Sequence, residues 1–581
     1  MDVAEHRSPF AGRPARSLRV EPAWLVIGAA VALVALLTLV PLAFLLWQSV
    51  RTPEWAGGAA RTTLDNYLTA YGTGATARLL GNSLRYATGS ALCAFAIGTV
   101  LAWMNERTNT PGRRLFFALS LVPLVVPGIL FVVAWIFLGS PRIGLVNVAL
   151  RALLGTDRTF VDVYSMAGMV IVDGLHQSPI AFLLMGAAFR SMDPALEESA
   201  LMSGPSRLAV AARNTFRLAW PAALATLLVL FVRALESFEA PALLGLPAGL
   251  PVFTSAIYAA VHRYPSDVGL ASAYGVTLLV ITALGVWACA RLSDSGSRYA
   301  TVTGKGFRPR PLDLGRWRLV AAALFAGYFV LVVGLPLAVL LWSSFQPFYA
   351  VPSLAALSTM TLEPYRTVLA YPALGTAVVN SLVLAVATAT IVMALTAAVG
   401  WMVVRARLRH RALVDHLASL PLAFPGLVLG LAILVFYLNV DIGVYGTLWI
   451  LLIAYVTRFL PFGMRASTAA MVQVHRELEE SAAMSGAAWL ATFRHVVIPL
   501  LKPGLLAGWV YIAIVSVREL SSSILLYSPG REVVSVVIWE LWENGQQVEL
   551  AAVGVLLIGA LLAAVGLAQW AGARLQAARI A

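Results

Sequence analysis

The 581 residues are 60% hydrophobic and only 12% charged, against about 25% charged in an ordinary soluble domain. With a mean hydropathy of +0.82, the chain lacks the polar surface that a soluble globular protein needs. Its formal net charge of +13 would suit a nucleic-acid binder, but the placement of the basic residues along the chain excludes that partner.

Residues 1–21 are polar and carry Arg7, Arg13, Arg16 and Arg19; they read as a cytoplasmic tail ahead of a retained first span. The apolar run that follows is too long for a signal-peptide core and offers no suitable cleavage site. Runs long enough to cross a hydrocarbon layer about 30 Å thick lie near 24–47, 82–104, 115–138, 165–189, 218–239 and 268–290. Six more lie near 318–342, 376–404, 413–437, 445–464, 500–520 and 550–572. The expected fold is an all-α integral membrane protein of about twelve transmembrane helices. Cys93 and Cys289 lie in apolar segments without metal-ligand or redox spacing and read as small packing residues. The seven histidines form no i, i+4 pair, so no metal site is expected.

With loops assigned alternately from a cytoplasmic N-terminus, most Lys and Arg fall on the cytoplasmic side. They are densest at Arg107, Arg113 and Arg114, from Arg291 to Arg318, and at Arg405, Arg407, Arg409 and Arg411. This is the positive-inside asymmetry. It predicts both termini in the cytoplasm and makes the basic excess a topology signal, with no nucleic acid implied.

The chain is written twice. Asn82-Ser-Leu pairs with Asn380-Ser-Leu, Trp103-Met with Trp401-Met, and the Pro-Gly ending at Gly128 with that ending at Gly426, all at an offset of 298. Leu196-Glu-Glu-Ser-Ala-Leu-Met-Ser-Gly204 returns as Leu478-Glu-Glu-Ser-Ala-Ala-Met-Ser-Gly486 at an offset of 282. The first half therefore carries sixteen extra residues between these landmarks, expected in the loop near 139–164. Basic loops at equivalent positions give both halves one orientation, so the repeats are parallel. The expected division is a tail 1–21, a first unit 22–292, a polar linker 293–316 and a second unit 317–581. Pro127 and Pro425, each followed by Gly inside an apolar run, predict helix kinks, either structural or lining a pathway.

The duplicated nonapeptides lie between the fourth and fifth spans of their halves, on the cytoplasmic side. Asp193 and Pro194 suit an N-cap and first helical position, and Glu197 and Glu198 suit the positive end of a helix dipole. Each copy predicts a short amphipathic helix closed by Gly204 or Gly486. The pattern Glu198-Ser199-Ala200-x-x-x-Gly204, with Leu218-Ala-Trp-Pro221 beyond it, resembles the EAA loop of type I ATP-binding-cassette (ABC) importer permeases. So does Glu480-Ser481-Ala482-x-x-x-Gly486 with Val496-Val-Ile-Pro499. The second copy has the usual 13 residues from Gly to Pro, and the first has 17, about one more helical turn.

The resemblance implies the type I permease fold of two parallel six-helix units in a bacterial inner membrane. It implies that two copies of a cytoplasmic ATP-binding subunit grip the EAA helices, with Glu197, Glu198, Glu479 and Glu480 among the docking residues, and that a periplasmic binding protein delivers the cargo. ATP and Mg would be held by that subunit: no G-x-x-x-x-G-K-[ST] phosphate loop occurs in this chain, so no catalytic residue and no resident cofactor are expected.

Arg233 and Glu236 end the fifth span, Arg518 and Glu519 the eleventh. Ionisable groups at such depth are costly, and face a cavity or pair with one another. They are candidates for the pathway or its gate, or are structural pairs. Arg458 and Arg465 read as interfacial anchors. The fused arrangement, Glu106-Arg107-Thr108 and Glu236-Ser-Phe-Glu239-Ala-Pro most resemble iron(III) permeases, with thiamine, polyamine and phosphonate permeases as alternatives. A twelve-span secondary transporter is the alternative of another class; it would need an intramembrane acid such as Glu236 or Glu519, but has no use for paired Glu-Ser-Ala helices.

Overall fold

The computed structural model describes residues 22–52, 61–72, 74–192, 202, 216–296, 312–405 and 411–580. Among them every regular element is helical, and the strand-type pairings are two isolated bridges, Arg51 with Thr62 and Thr108 with Leu312. The principal helices of the first half are α1 (Pro22–Ser49), α2 (Gly74–Arg107), α3 (Gly128–Gly139), α4 (Met166–Ser191), α5 (Trp220–Glu236), α6 (Phe253–His262) and α7 (Val268–Gly296). The second half repeats them as α8 (Trp317–Ser344), α9 (Pro372–Arg405), α10 (Gly426–Asn439) and α11 (Leu448–Val472). It continues with the short α12 (Glu477–Met484), then α13 (Ile498–Val517), α14 (Val534–Glu543) and α15 (Gln547–Ile580).

Among the described residues nine helices are long and apolar enough to cross a bilayer, and eleven if each of two bent pairs counts as one span. The 17-residue α5 lies in the fifth predicted run and is shorter than these, so the count is nine to eleven against the expected twelve or so.

The predicted kinks at Pro127 and Pro425 are complete breaks. The preceding segments, Arg113–Leu124 and Arg411–Ala423, meet α3 and α10 at 98° and 103°. Proline cannot donate to the preceding turn and favours an extended residue before it; Phe424 has ψ 111°. Each proline then takes a non-helical ψ, 138° at Pro127 and 139° at Pro425, and serves as N-cap of the next helix. Beyond its first glycine α3 is wholly buried, and most of α10 is too. These two helices sit in one apolar core shared by both halves.

The sixteen extra residues fall between α3 and α4, where Leu145–Leu154 forms an added helix. Asn147 holds the excursion together: its amide donates to Ser140 O (3.0 Å) and Val161 O (2.6 Å), and its oxygen accepts from the backbone of Phe160 and Val161.

α2 and α4 pack through small residues, as membrane helices do when close approach supplies the attraction. A Cβ added at Gly98 would lie 2.5 Å from both Ala181 Cβ and Ser178 O, and one at Gly174 would lie 2.7 Å from Cys93. The second half interchanges the roles. At the positions equivalent to Gly98 and Ala181 stand Thr396 and Gly463, and a Cβ on Gly463 would lie 2.9 Å from Thr396 Oγ1.

The repeated Asn-Ser pairs have a common task. Asn82 donates to Pro251 O (3.2 Å) and Ser83 accepts from Phe253 N (3.0 Å); Asn380 donates to Glu532 O (2.9 Å) and Ser381 accepts from Val534 N (2.9 Å). Each second span thus caps the short helix, α6 or α14, that follows the fifth span of its half.

Candidate functional site

The second copy of the duplicated nonapeptide forms α12, a two-turn helix. Its first turn carries Glu477, Glu479 and Glu480, at the positive end of its peptide dipoles. Gly486, at φ +82° with open space around it, ends the element with a left-handed turn that any side chain would strain. Ser481 O accepts from Ser485 N (3.1 Å) and Ala482 O from Ala487 N (3.1 Å). Glu480 points outward, paired with Arg476 at 3.0 Å, and Leu478 and Met484 are exposed apolar side chains beside it.

Glu479 points the other way, toward the spans. Its carboxylate accepts from Trp401 Nε1 at 2.8 Å and meets Arg405 Nε at 2.9 Å, the latter a contact of charges without hydrogen-bond alignment. Arg405 also donates to Met471 O at 3.2 Å and to Val474 O. In the first half Arg107 holds the equivalent carbonyls, Phe189 O and Met192 O, each at 3.4 Å. Glu197, Glu198, Ser199, Ala200 and Gly204 lie outside the described residues.

The second constellation lies where the halves meet. Arg458 is no interfacial anchor: its side chain is 18% exposed and pairs with Glu519 at 3.0 Å. The reading from sequence placed it by distance from the end of the span, but the broken α10 leaves room for it beside Gly426. The other Glu519 oxygen accepts from Ser522 N and Ser522 Oγ, both at 3.0 Å. Arg465 is exposed on α11, 3.8 Å from Asp415.

Arg518 crosses to the first half, donating to Leu124 O and, at 3.5 Å, to Val126 O, the carbonyls freed at the Pro127 break. Reciprocally, Thr282 of α7 donates to Ala423 O (2.6 Å) at the Pro425 break. Arg233 is exposed and Glu236 half-buried; among the described residues no ion pair within 4.0 Å joins them, nor Arg518 to Glu519. Glu236 is nevertheless within electrostatic reach of Arg233, Arg458 and Glu519.

Two neighbours are not among the pathway candidates that the sequence offers. Glu239 lies against α3, where a Cβ on Gly128 would approach its carboxyl carbon to 3.3 Å. His176, half-buried against Phe131 with ring centroids 5.0 Å apart, occupies the position equivalent to Arg458 at the offset of 282. That offset, applied residue by residue along the fourth spans, could have paired them. Among the described residues no group of three or more His, Cys, Asp or Glu could hold a metal ion.

Two parallel multi-span repeats, interlocked at broken helices and carrying an exposed acidic helix, define a membrane-embedded transport component. The chain belongs to the family of binding-protein-dependent transport system inner membrane components, whose model matches residues 94–295 and again 391–577. It is 26% identical over 510 residues to the ferric transport system permease protein FbpB of Actinobacillus pleuropneumoniae, covering 86% of this chain and 72% of that one. A putative ferric transport system permease of Haemophilus influenzae is likewise 26% identical, over 79% of this chain and 72% of its own length. A putative 2-aminoethylphosphonate permease of Salmonella paratyphi A is 29% identical over 143 residues, 25% of this chain and 54% of that one. Among solved structures, a bacterial ABC transporter that imports alginate matches with a TM-score of 0.36 and 21% identity, covering 42% of this chain and 85% of its own.

Proposed function

We propose that this chain is the fused permease of an ABC importer, with units 22–292 and 317–581 joined by the linker 293–316, and that its cargo is iron(III) or an iron chelate. The observation that carries the permease reading is α12, exposed on one side through Glu480, Leu478 and Met484 and tied on the other to two spans. The docking face and both termini lie in the cytoplasm, the side the basic loops prefer. Two copies of an ATP-binding subunit, which holds ATP and Mg, grip the segments bearing Glu198 and Glu480, and a periplasmic binding protein delivers the cargo. The iron assignment rests on the breadth of likeness to ferric permeases, most of the chain against a quarter for the phosphonate relative.

Arg233, Glu236, Arg518 and Glu519 flank the pathway or its gate in this reading. Opening a route between the halves would separate Arg518 from the Leu124 and Val126 carbonyls and Thr282 from Ala423. The second reading, structural pairing, draws support from Arg458–Glu519.

Affinity purification tests the class: an ATP-binding subunit should accompany the wild-type chain and be lost when Glu198 and Glu480 are both replaced by Arg. Uptake that needs no ATP and follows a proton gradient would establish the secondary-transporter alternative instead. Competition of labelled iron(III) uptake by thiamine, polyamines or 2-aminoethylphosphonate discriminates the cargoes.

A further inference from the structure

Arg405 is the last residue of α9, and its guanidinium joins that helix to two others. It contacts Glu479 in the first turn of α12 at 2.9 Å and the carbonyls of Met471 and Val474 at the end of α11. Its side chain is 12% exposed and that of Glu479 13%. Trp401, one turn earlier on α9, holds the second carboxylate oxygen at 2.8 Å, and its ring packs edge-on against Trp489 at 5.1 Å. Trp489 in turn stacks on Phe493 at 5.0 Å, in the segment that leads into α13.

A planar guanidinium offers five fixed donors and no rotational slack. The bonds from Arg405 to the Met471 and Val474 carbonyls and from Trp401 to the Glu479 carboxylate are charge-assisted, and such bonds are about twice as strong as neutral ones. The other carboxylates of α12 face solvent, so this joint is the polar connection between the docking helix and the spans. Arg107 grips the equivalent pair of carbonyls in the first half, which makes the arginine a feature of the repeat.

We propose that Arg405, through Glu479 and Trp401, is the joint by which movement of the docking helix is passed to the second and fourth spans of its half. It is a positioning residue and has no part in binding the ATP-binding subunit, for which α12 presents its opposite face. This rests on the importer reading above, and the experiment separates failure of the one from failure of the other.

Spin labels are placed at Leu153→Cys and Ile442→Cys, exposed positions of the two halves on the face opposite α12. The background has Cys93 and Cys289 replaced by Ala, and the chain is purified with its ATP-binding subunit. In the parent complex, ATP with vanadate shifts the inter-label distance; absence of the subunit, or of any shift, overturns the importer reading itself. In Arg405→Gln the subunit is retained and ATP is still hydrolysed, while the ratio of shifted to unshifted complexes falls by about tenfold, the worth of one charge-assisted contact. Trp401→Phe gives a smaller loss in the same direction. Glu479→Gln added to Arg405→Gln costs less than the sum of the two single losses, because the pair shares the Arg405–Glu479 contact. An undiminished shift in Arg405→Gln, losses that add in the double variant, or loss of the subunit overturns the proposed joint.

Discussion

Gly426 has no side chain because Arg458 occupies the space: a Cβ there would fall 1.5 Å from Nη1. The guanidinium is fixed by Glu519, and Glu519 by the backbone and hydroxyl of Ser522, so no part of the group can yield cheaply. Gly426→Ala should cost about 3 kcal/mol, the loss typical when a buried pair is broken, read as a fall in thermal midpoint in detergent. Gly375→Ala on the exposed face of α9, where nothing lies within 4 Å, should be neutral or slightly stabilising. Equal effects of the two would mean that Arg458 is free to move. The glycine was visible in the sequence as half of a Pro-Gly pair, yet its reason was not, since the residue that excludes a side chain lies on another span. Arg458 was misplaced for the same cause: depth along a helix can be counted, but a break in a neighbouring helix cannot.

Among the elements, the short helices α6 and α14 have valines at the N-cap, which offer no side-chain cap, and the N–H groups of their first residues are met from the second span. Ser83 and Ser381 accept the N–H groups of Phe253 and Val534 deep within the structure, where water cannot replace the lost partner. Ser381→Ala should therefore cost about 1–3 kcal/mol, the penalty for a buried donor left unpaired. It should raise hydrogen exchange at Val534 while leaving exchange in α11 unchanged. Exchange in α14 unaltered by the substitution would show that the cap is dispensable. The repeated Asn-Ser was legible as a repeat, and the spans were legible because apolar length and positive-inside charge are local quantities. What the pair holds was not, because a cap supplied from 153 positions away leaves no periodic trace. The breaks at Pro127 and Pro425 were read as kinks for a related reason. Proline announces that a helix is interrupted, but whether it resumes along the same axis depends on what satisfies the freed carbonyls. Here Arg518 and Thr282, each from the opposite half, do so.

At the scale of the molecule, the two halves exchange their first spans. α1 packs against α10 and α9 of the second half, and the end of α8 packs against α3 of the first. Phe44 meets Phe436 edge-on at 4.8 Å, and Gly275 of α7 leaves room for Leu45 and Val428, each 3.5 Å from where its Cβ would lie. Tyr349 adds a polar tie across the same boundary, donating to Phe137 O at 2.9 Å, and Tyr258 another, donating to Glu543 at 2.9 Å. In lipid, apolar side chains gain little from leaving the solvent, so such an interface is held by close packing and hydrogen bonds. A chain cut between residues 297 and 311 and expressed as two fragments should therefore reassemble, with a tag on one half recovering the other from detergent. Phe44→Ala with Leu45→Ala should lower that recovery several-fold, because the cavity would open in the second half's packing rather than in the first's. Leu36→Ala, exposed on the same helix, should leave recovery unchanged. Fragments that do not associate, or recovery insensitive to Phe44 and Leu45, would mean that α1 only rests against the second half and that the linker holds the halves together.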